Sequence, residues 1–167
     1  MTYKILMPLD RTDYSLKIMA QVEKLVASKE TEIIVMHVVR TSNTIGVAVP
    51  TFERDQLDDE QLSSHVAGVW PRLIYNSGNE ADLQRQIEEQ LMTMSLPLKQ
   101  HGYKVRTLVT FGLPADEILN AAATEEVDLI AMTTHAREGL QKLFFGSVAE
   151  KVLHHTHTPI LLVHPSQ

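Results

Sequence analysis

The chain has 167 residues, 44% of them apolar and 22% charged, with a formal net charge of −6 and no cysteine. That length suits one domain around one core, and the acidic balance argues against general affinity for nucleic acid or anionic membranes. Without cysteine there are no disulfides, thiolate nucleophiles or cysteine-ligated zinc, which fits a reducing compartment.

In chain order, "MTYKILMPLD" opens with an apolar run that Pro8 and Asp10 cut short. The run is too brief for a signal peptide, and no window reaches the roughly 18 apolar residues of a membrane span. A cytoplasmic location without membrane insertion is therefore expected. "YKILMPLD" fits a buried strand. "DYSLKIMAQVEKLVASKE" then sets Ile18, Val22, Leu25 and Val26 on one helical face, with Asp13 or Ser15 as its cap. "EIIVMHVV" is a second, β-branched strand, which completes a right-handed βαβ unit.

Residues 40–79 mix polar and apolar positions and carry two prolines and the single tryptophan, Trp70. Structureless loops of that length are uncommon in compact domains. An irregular or partly helical insertion is expected, with a short helix around 56–66 and a partner-facing or lid role. From Glu80 the pattern sharpens: Leu83, Ile87, Leu91, Met94 and Leu98 fall on one face of an amphipathic helix. Pro97 should bend or weaken its last turn and Gly102 should end it. "YKVRTLVT" alternates as a third strand. "GLPADEILNAAATEE" is a helix with Pro114 in its first turn and acids just behind. "VDLIAMTT" is the fourth strand, "GSVAEKVLHHT" the last helix and "TPILLVHP" the fifth strand. Five strands alternating with four helices predict one α/β domain over residues 1–167, built on an open, mainly parallel sheet covered on both faces.

In such sheets ligands sit beyond the carboxyl ends of the strands, where strand order reverses. The residues delivered there are Pro8, Leu9 and Asp10 after the first strand, His37, Val38 and Val39 in the second, and residues 133–137 after the fourth. The last helix opens at Gly146 and Ser147, and a helix N-terminus with a glycine suits phosphate. Arg137 or Lys142 would add positive charge, while Asp10 would accept from a ribose hydroxyl or an adenine amino group. A carboxylate at one strand end and an anion cradle at another is the polarity a nucleotide needs. Plainer readings compete. Ser147-Val148-Ala149-Glu150 has the S-x-x-E form of a capping box, which spacing alone favours. Asp10 is equally suited to a turn or a helix cap. Phe144 and Phe145 fit core anchors better than a base-stacking platform.

Three enzyme or signalling classes fit poorly. The HxGH and SGGxDS motifs of adenylyl-transfer and pyrophosphatase enzymes are missing from "PLDRTDYS". No G-x-S-x-G elbow is present, and the third and fifth strands end without the aspartate and lysine of a phosphoacceptor domain. His154, His155 and His157 lie at a helix C-terminus, where histidine suits the dipole, and no carboxylate completes a metal shell, so no protein-held metal is expected.

Together, "YKILMPLD", "HVV", "VDLIAMTTHAREGL", "GSVAEKVL" and "TPILLVH" resemble the universal stress protein family along nearly the whole chain. The resemblance implies a Rossmann-like sheet in the order 3-2-1-4-5 and a homodimer through the last strand, here Pro159, Ile160, Leu161, Leu162 and Val163. Many members bind ATP with a motif G-x-x-G, nine residues, then G-[ST]. This sequence has Thr133 to Ala136 at the first part, nine residues over 137–145, then Gly146-Ser147. Both early glycines are replaced, and the Ala136 methyl adds bulk where a backbone N–H would approach a phosphate.

By the same resemblance, Pro8, Leu9 and Asp10 meet the adenosine part and Val38 contacts adenine through its backbone. Met132 and Thr133 flank the ribose. Ala136, Gly146 and Ser147 meet the phosphates, with His135, Arg137 and Val148 beside them. The implied ligand is ATP, with or without Mg2+; AMP, ADP and cyclic AMP stay open. The implied function is a dimeric, nucleotide-responsive regulator in the stress response with little or slow hydrolysis, no catalytic residues and an unidentified protein partner. Members of the family that have lost the glycines act instead as dimeric interaction modules without ATP.

Overall fold

Alternation along the strands divides the apolar residues into two sets, and the fold buries one set on each side of a single sheet. The computed structural model describes residues 2–10, 13–26, 30–40, 80–134 and 146–164. The expected insertion beyond Arg40, with its helix around 56–66, lies outside these residues, as do His135, Ala136, Arg137, Lys142, Phe144 and Phe145.

The described elements are β1 (Lys4–Pro8), α1 (Asp13–Leu25), β2 (Glu32–Arg40), α2 (Glu80–Met94), α3 (Leu96–Gln100), β3 (Lys104–Gly112), α4 (Pro114–Thr124), β4 (Leu129–Thr133), α5 (Ser147–His155) and β5 (Ile160–Val163). All strand pairs are parallel, in the order β3-β2-β1-β4-β5, which is the order the family resemblance implies. Strand order reverses between β1 and β4, the position at which sheets of this kind hold ligands.

One core cluster joins Ile5 and Met7 of β1, Leu9 just after it, Ile33, Val35 and Val39 of β2, Ile18 and Val22 of α1, Leu83, Ile87 and Leu91 of α2, and Leu98 of α3. The other joins Leu6, Ile34, Met36, Ile130 and Met132 to Ala115, Ile118 and Ala122 of α4 and Ala149 and Val152 of α5. Burying one of these valine, leucine, isoleucine or methionine side chains stabilises the fold by about 1.5–3 kcal/mol. Small residues line the inner face of α4 and let it lie close to the sheet, and α5 packs beside α4.

Two local expectations need correction. The helix from Glu80 is two helices, broken at Ser95, so five helices are described where four were expected. Pro97 sits in the first turn of α3, where its missing N–H is tolerated, and the fully buried Ser95 hydroxyl donates back to the Leu91 carbonyl. Leu25 does not join the core face of α1; it is 64% exposed, and Met19 is buried in its place. The expectation for Gly102 holds: it has φ 91, with Gly102 N–H on the Lys99 carbonyl and Tyr103 N–H on Leu98, the paired bonds of a Schellman end. The same paired bonds close α4, from Glu126 N–H to Ala123 and from Val127 N–H to Ala122. There the left-handed position is taken by Glu126, at φ 51.

The amino-terminal end of the sheet is clasped by charge. Arg106 of β3 reaches Glu125 with two bonds, of 2.6 and 3.3 Å, and Glu32 with one of 3.3 Å. The Glu125 hydrogen bond, ahead of the other contacts, holds the Arg106 pKa above its ordinary value. Lys4 ties β1 to the same corner, its N–H on Asp128 and its ammonium on the Glu125 carbonyl. At the far end of the chain, Thr156 N–H bonds the Val152 carbonyl and Thr158 N–H bonds the Thr156 hydroxyl, which fixes the joint between α5 and β5.

Candidate functional site

The opposite, carboxyl-terminal edge of the sheet brings together most of the residues singled out from the sequence. β1 leaves the sheet at Pro8, half-buried, followed by Leu9, only 3% exposed, and half-buried Asp10. Two bonds to β2 set the direction of that exit. Leu9 N–H donates to the Met36 carbonyl at 2.8 Å. The imidazole of His37, itself 8% exposed, donates from Nδ1 to the Leu9 carbonyl at 2.9 Å. Since a carbonyl only accepts, Nδ1 carries a proton.

Continuing the Pro8–Met36 register puts Asp10 level with Val38. Val38 is half-buried and packs with the α4–α5 core cluster. In a parallel ladder the N–H and C=O of one residue point to the same neighbour. Glu32 N–H bonds Tyr3, just before β1, and the Met36 carbonyl receives Leu9 N–H, whereas the Thr31 carbonyl receives Lys104 N–H from β3. Even-numbered residues of β2 therefore aim their main chain at β1. Val38 aims its main chain at the space past the end of β1.

β4 supplies the other wall. Met132 is 5% exposed and Thr133 half-buried. Ile130 N–H goes to Pro159 and Thr134 N–H to Val163 of β5, so the intervening Thr133 turns its main chain toward β1. The main chains of Val38 and Thr133 thus flank the exit that Leu9 and Asp10 take.

α5 closes the arrangement. Gly146 is its N-cap, at φ 80 and ψ 149, a combination that only glycine adopts without strain. Ser147 is the first helical residue and is exposed, Val148 is half-buried, and Ala149 anchors the turn at 3% exposure. Glu150 N–H bonds the Gly146 carbonyl at 2.9 Å. This overturns the capping-box expectation: Gly146, not Ser147, occupies the cap, and it brings no side chain to the first amides. Lys151 pairs with Asp116 at 2.6 Å and ties α5 to α4.

Nine of the twelve candidate residues (Pro8, Leu9, Asp10, Val38, Met132, Thr133, Gly146, Ser147 and Val148) lie at strand exits on this edge or at the start of α5. The part played by the His37 side chain was not legible in the sequence. No spacing rule finds it, because it depends on the register of β1 against β2.

Elsewhere, His154, His155 and His157 are exposed, and His155 Nδ1 donates to the Lys151 carbonyl. Among the described residues no group of three histidine, aspartate or glutamate side chains is placed to hold a metal ion, and no helix is long and apolar enough to cross a membrane.

The model of the universal stress protein family matches residues 1–164. Universal stress protein MJ0531 of Methanocaldococcus jannaschii is 27% identical over 160 residues, which cover 96% of this chain and 81% of that protein. The solved structure of MJ0577, from the same organism, superposes with a TM-score of 0.66 at 23% identity, covering 99% of this chain and 98% of that one. A universal stress protein from Archaeoglobus fulgidus, solved in complex with dAMP, superposes with a TM-score of 0.55 at 13% identity, covering 97% of each chain.

Proposed function

The chain belongs to the universal stress protein family, and from that premise we infer that it is a cytoplasmic, homodimeric regulator that binds ATP at the carboxyl edge of its sheet. The observation that carries this is the joint placement of Asp10, the outward-turned main chain of Val38 and the glycine-capped start of α5 around one strand-order reversal. Asp10 accepts from the ribose. Val38 offers one donor and one acceptor to the edge of adenine, and Met132 and Thr133 flank the sugar. Gly146 and Ser147 open a helix whose amides and dipole favour the phosphates. His135, Ala136 and Arg137 fall between β4 and α5 in the chain and are assigned to the phosphate side. Mg2+ arrives on the triphosphate and needs no protein carboxylate.

ATP acts as a ligand that biases conformation or partner choice, with slow turnover at most. Only differential affinity for two states can produce such a bias. Support for an adenine nucleotide also comes from the dAMP complex of the Archaeoglobus fulgidus protein, which shares the fold.

The dimer forms through β5, the edge strand beyond β4. Its residues Ile160, Leu161, Leu162 and Val163 are each only half-buried, and an apolar edge of that kind calls for a cover.

Calorimetric titration with Mg-ATP, ADP, AMP, cyclic AMP and GTP tests the nucleotide. Saturable heat with an adenine nucleotide and little with GTP is expected. Absence of heat and of any thermal shift at millimolar nucleotide would favour the second reading, an interaction module without ATP, to which the alanine at position 136 points. Phosphate release measured over hours tests the turnover.

A further inference from the structure

A ladder that has begun normally continues until one strand leaves it, and the register of β1 on β2 ends at Pro8 opposite Met36. Leu9 N–H still makes its ladder bond, to the Met36 carbonyl. The next bond of a parallel ladder would run from Val38 N–H back to the Leu9 carbonyl. Among the described residues no main-chain bond joins Leu9 to Val38. The Leu9 carbonyl instead accepts from His37 Nδ1 at 2.9 Å. His37 lies between Met36 and Val38, so one residue's side chain bonds the carbonyl that its neighbour's amide would reach in a continued ladder.

We propose that His37 is a positioning residue that ends the β1–β2 ladder one bond early and so presents the Val38 amide to the base of a bound adenine nucleotide. The base contact rests on the nucleotide reading above; the strand-ending role stands on the hydrogen bonds alone. An imidazole suits the task. It is rigid, its Nδ1 lies close to its own backbone, and at 8% exposure little water competes for the carbonyl. It also fixes the direction in which the chain leaves toward Asp10, so one side chain sets two of the site's polar groups.

The experiment uses the full-length chain. Nuclear magnetic resonance reads the Val38 amide through its exchange rate and through scalar coupling across a hydrogen bond. In the nucleotide-free protein, Val38 N–H should show no coupling to the Leu9 carbonyl. It should exchange on the order of 100-fold faster than the ladder amides of Ile34 and Met36, and ATP should slow it. In His37→Leu the coupling should appear as the ladder extends, and ATP affinity should fall about tenfold, the loss of one hydrogen bond. In His37→Asn, whose amide nitrogen occupies the Nδ1 position, the Val38 amide should stay uncoupled and affinity should remain within about threefold of the parent.

A Val38 amide coupled to Leu9 in the parent, or as protected there as Met36, overturns the proposal. So does equal ATP affinity in the parent and the leucine variant. Should the leucine variant not fold, the parent and the asparagine variant still decide it. A parent chain that takes up no adenine nucleotide removes the proposed function and the base contact together, while coupling and exchange still decide the strand-ending role.

Discussion

Replacing Gly146 by alanine puts the most specific part of the site at risk. Its φ of 80 and ψ of 149 lie in a region that costs a side-chain-bearing residue about 1–3 kcal/mol. Two responses are open to the variant. If the backbone keeps its conformation, that strain comes directly off folding stability. For a domain of this size about 2 kcal/mol lowers Tm by roughly 4–8 °C. If the backbone relaxes to negative φ, the strain disappears, but the first amides of α5 turn away from the phosphate position and ATP affinity falls by about tenfold or more. Denaturant melts and calorimetric titration on the same preparations measure both responses, and their free-energy losses should sum to at least about 1 kcal/mol. An alanine variant as stable as the parent and with the same ATP affinity would refute both the glycine-only conformation and the cradle.

Glu126→Gly should stabilise the fold by about 1 kcal/mol, because a left-handed residue with a side chain carries a penalty of that order; a denaturant midpoint that does not move upward would contradict it. Leu162→Pro should turn the proposed dimer into a monomer. Pro159 and Val163 spend their carbonyls on β4, so Leu162 aims its N–H outward, and proline removes that donor while sparing the β4 ladder. Sedimentation equilibrium reads the mass, and an unchanged dimer would place the interface elsewhere. Ala136→Gly restores the family's glycine and should tighten ATP binding severalfold; a titration showing equal or weaker binding would mean that the methyl was never an obstacle.

Most of the fold was legible because each strand is a short apolar run between polar residues and each helix keeps its period. Where the sequence misled, the deciding physics was non-local. Leu25 has the right spacing for the core face of α1 but sits exposed at its last turn, while the next residue, Val26, packs against the core. Ser147 has the right spacing for a capping box, but one residue of offset moved the cap to Gly146, whose positive φ no pattern of side chains reveals. Pro97 signalled trouble in the helix from Glu80. The interruption falls at Ser95, whose N–H still bonds the Leu91 carbonyl and whose buried hydroxyl bonds it too. The site itself was visible as separate strand exits. Bringing them to one edge required the strand order, which came from the family resemblance, and the work of His37 required the register.

The stiff joint after α5 has a mechanical consequence. The helix is a rod of nine residues, about 13 Å long, with the candidate phosphate cradle at one tip and the outermost strand hinged directly to the other. Ala149 and Val152 seat it against the sheet like a fulcrum, and the Thr156 and Thr158 bonds leave little slack where it meets Ile160. A tilt of a few degrees imposed at Gly146 would therefore arrive at the outer strand as a shift of comparable size and opposite sense, and would gear a ligand at the candidate cradle to a partner at the proposed β5 interface.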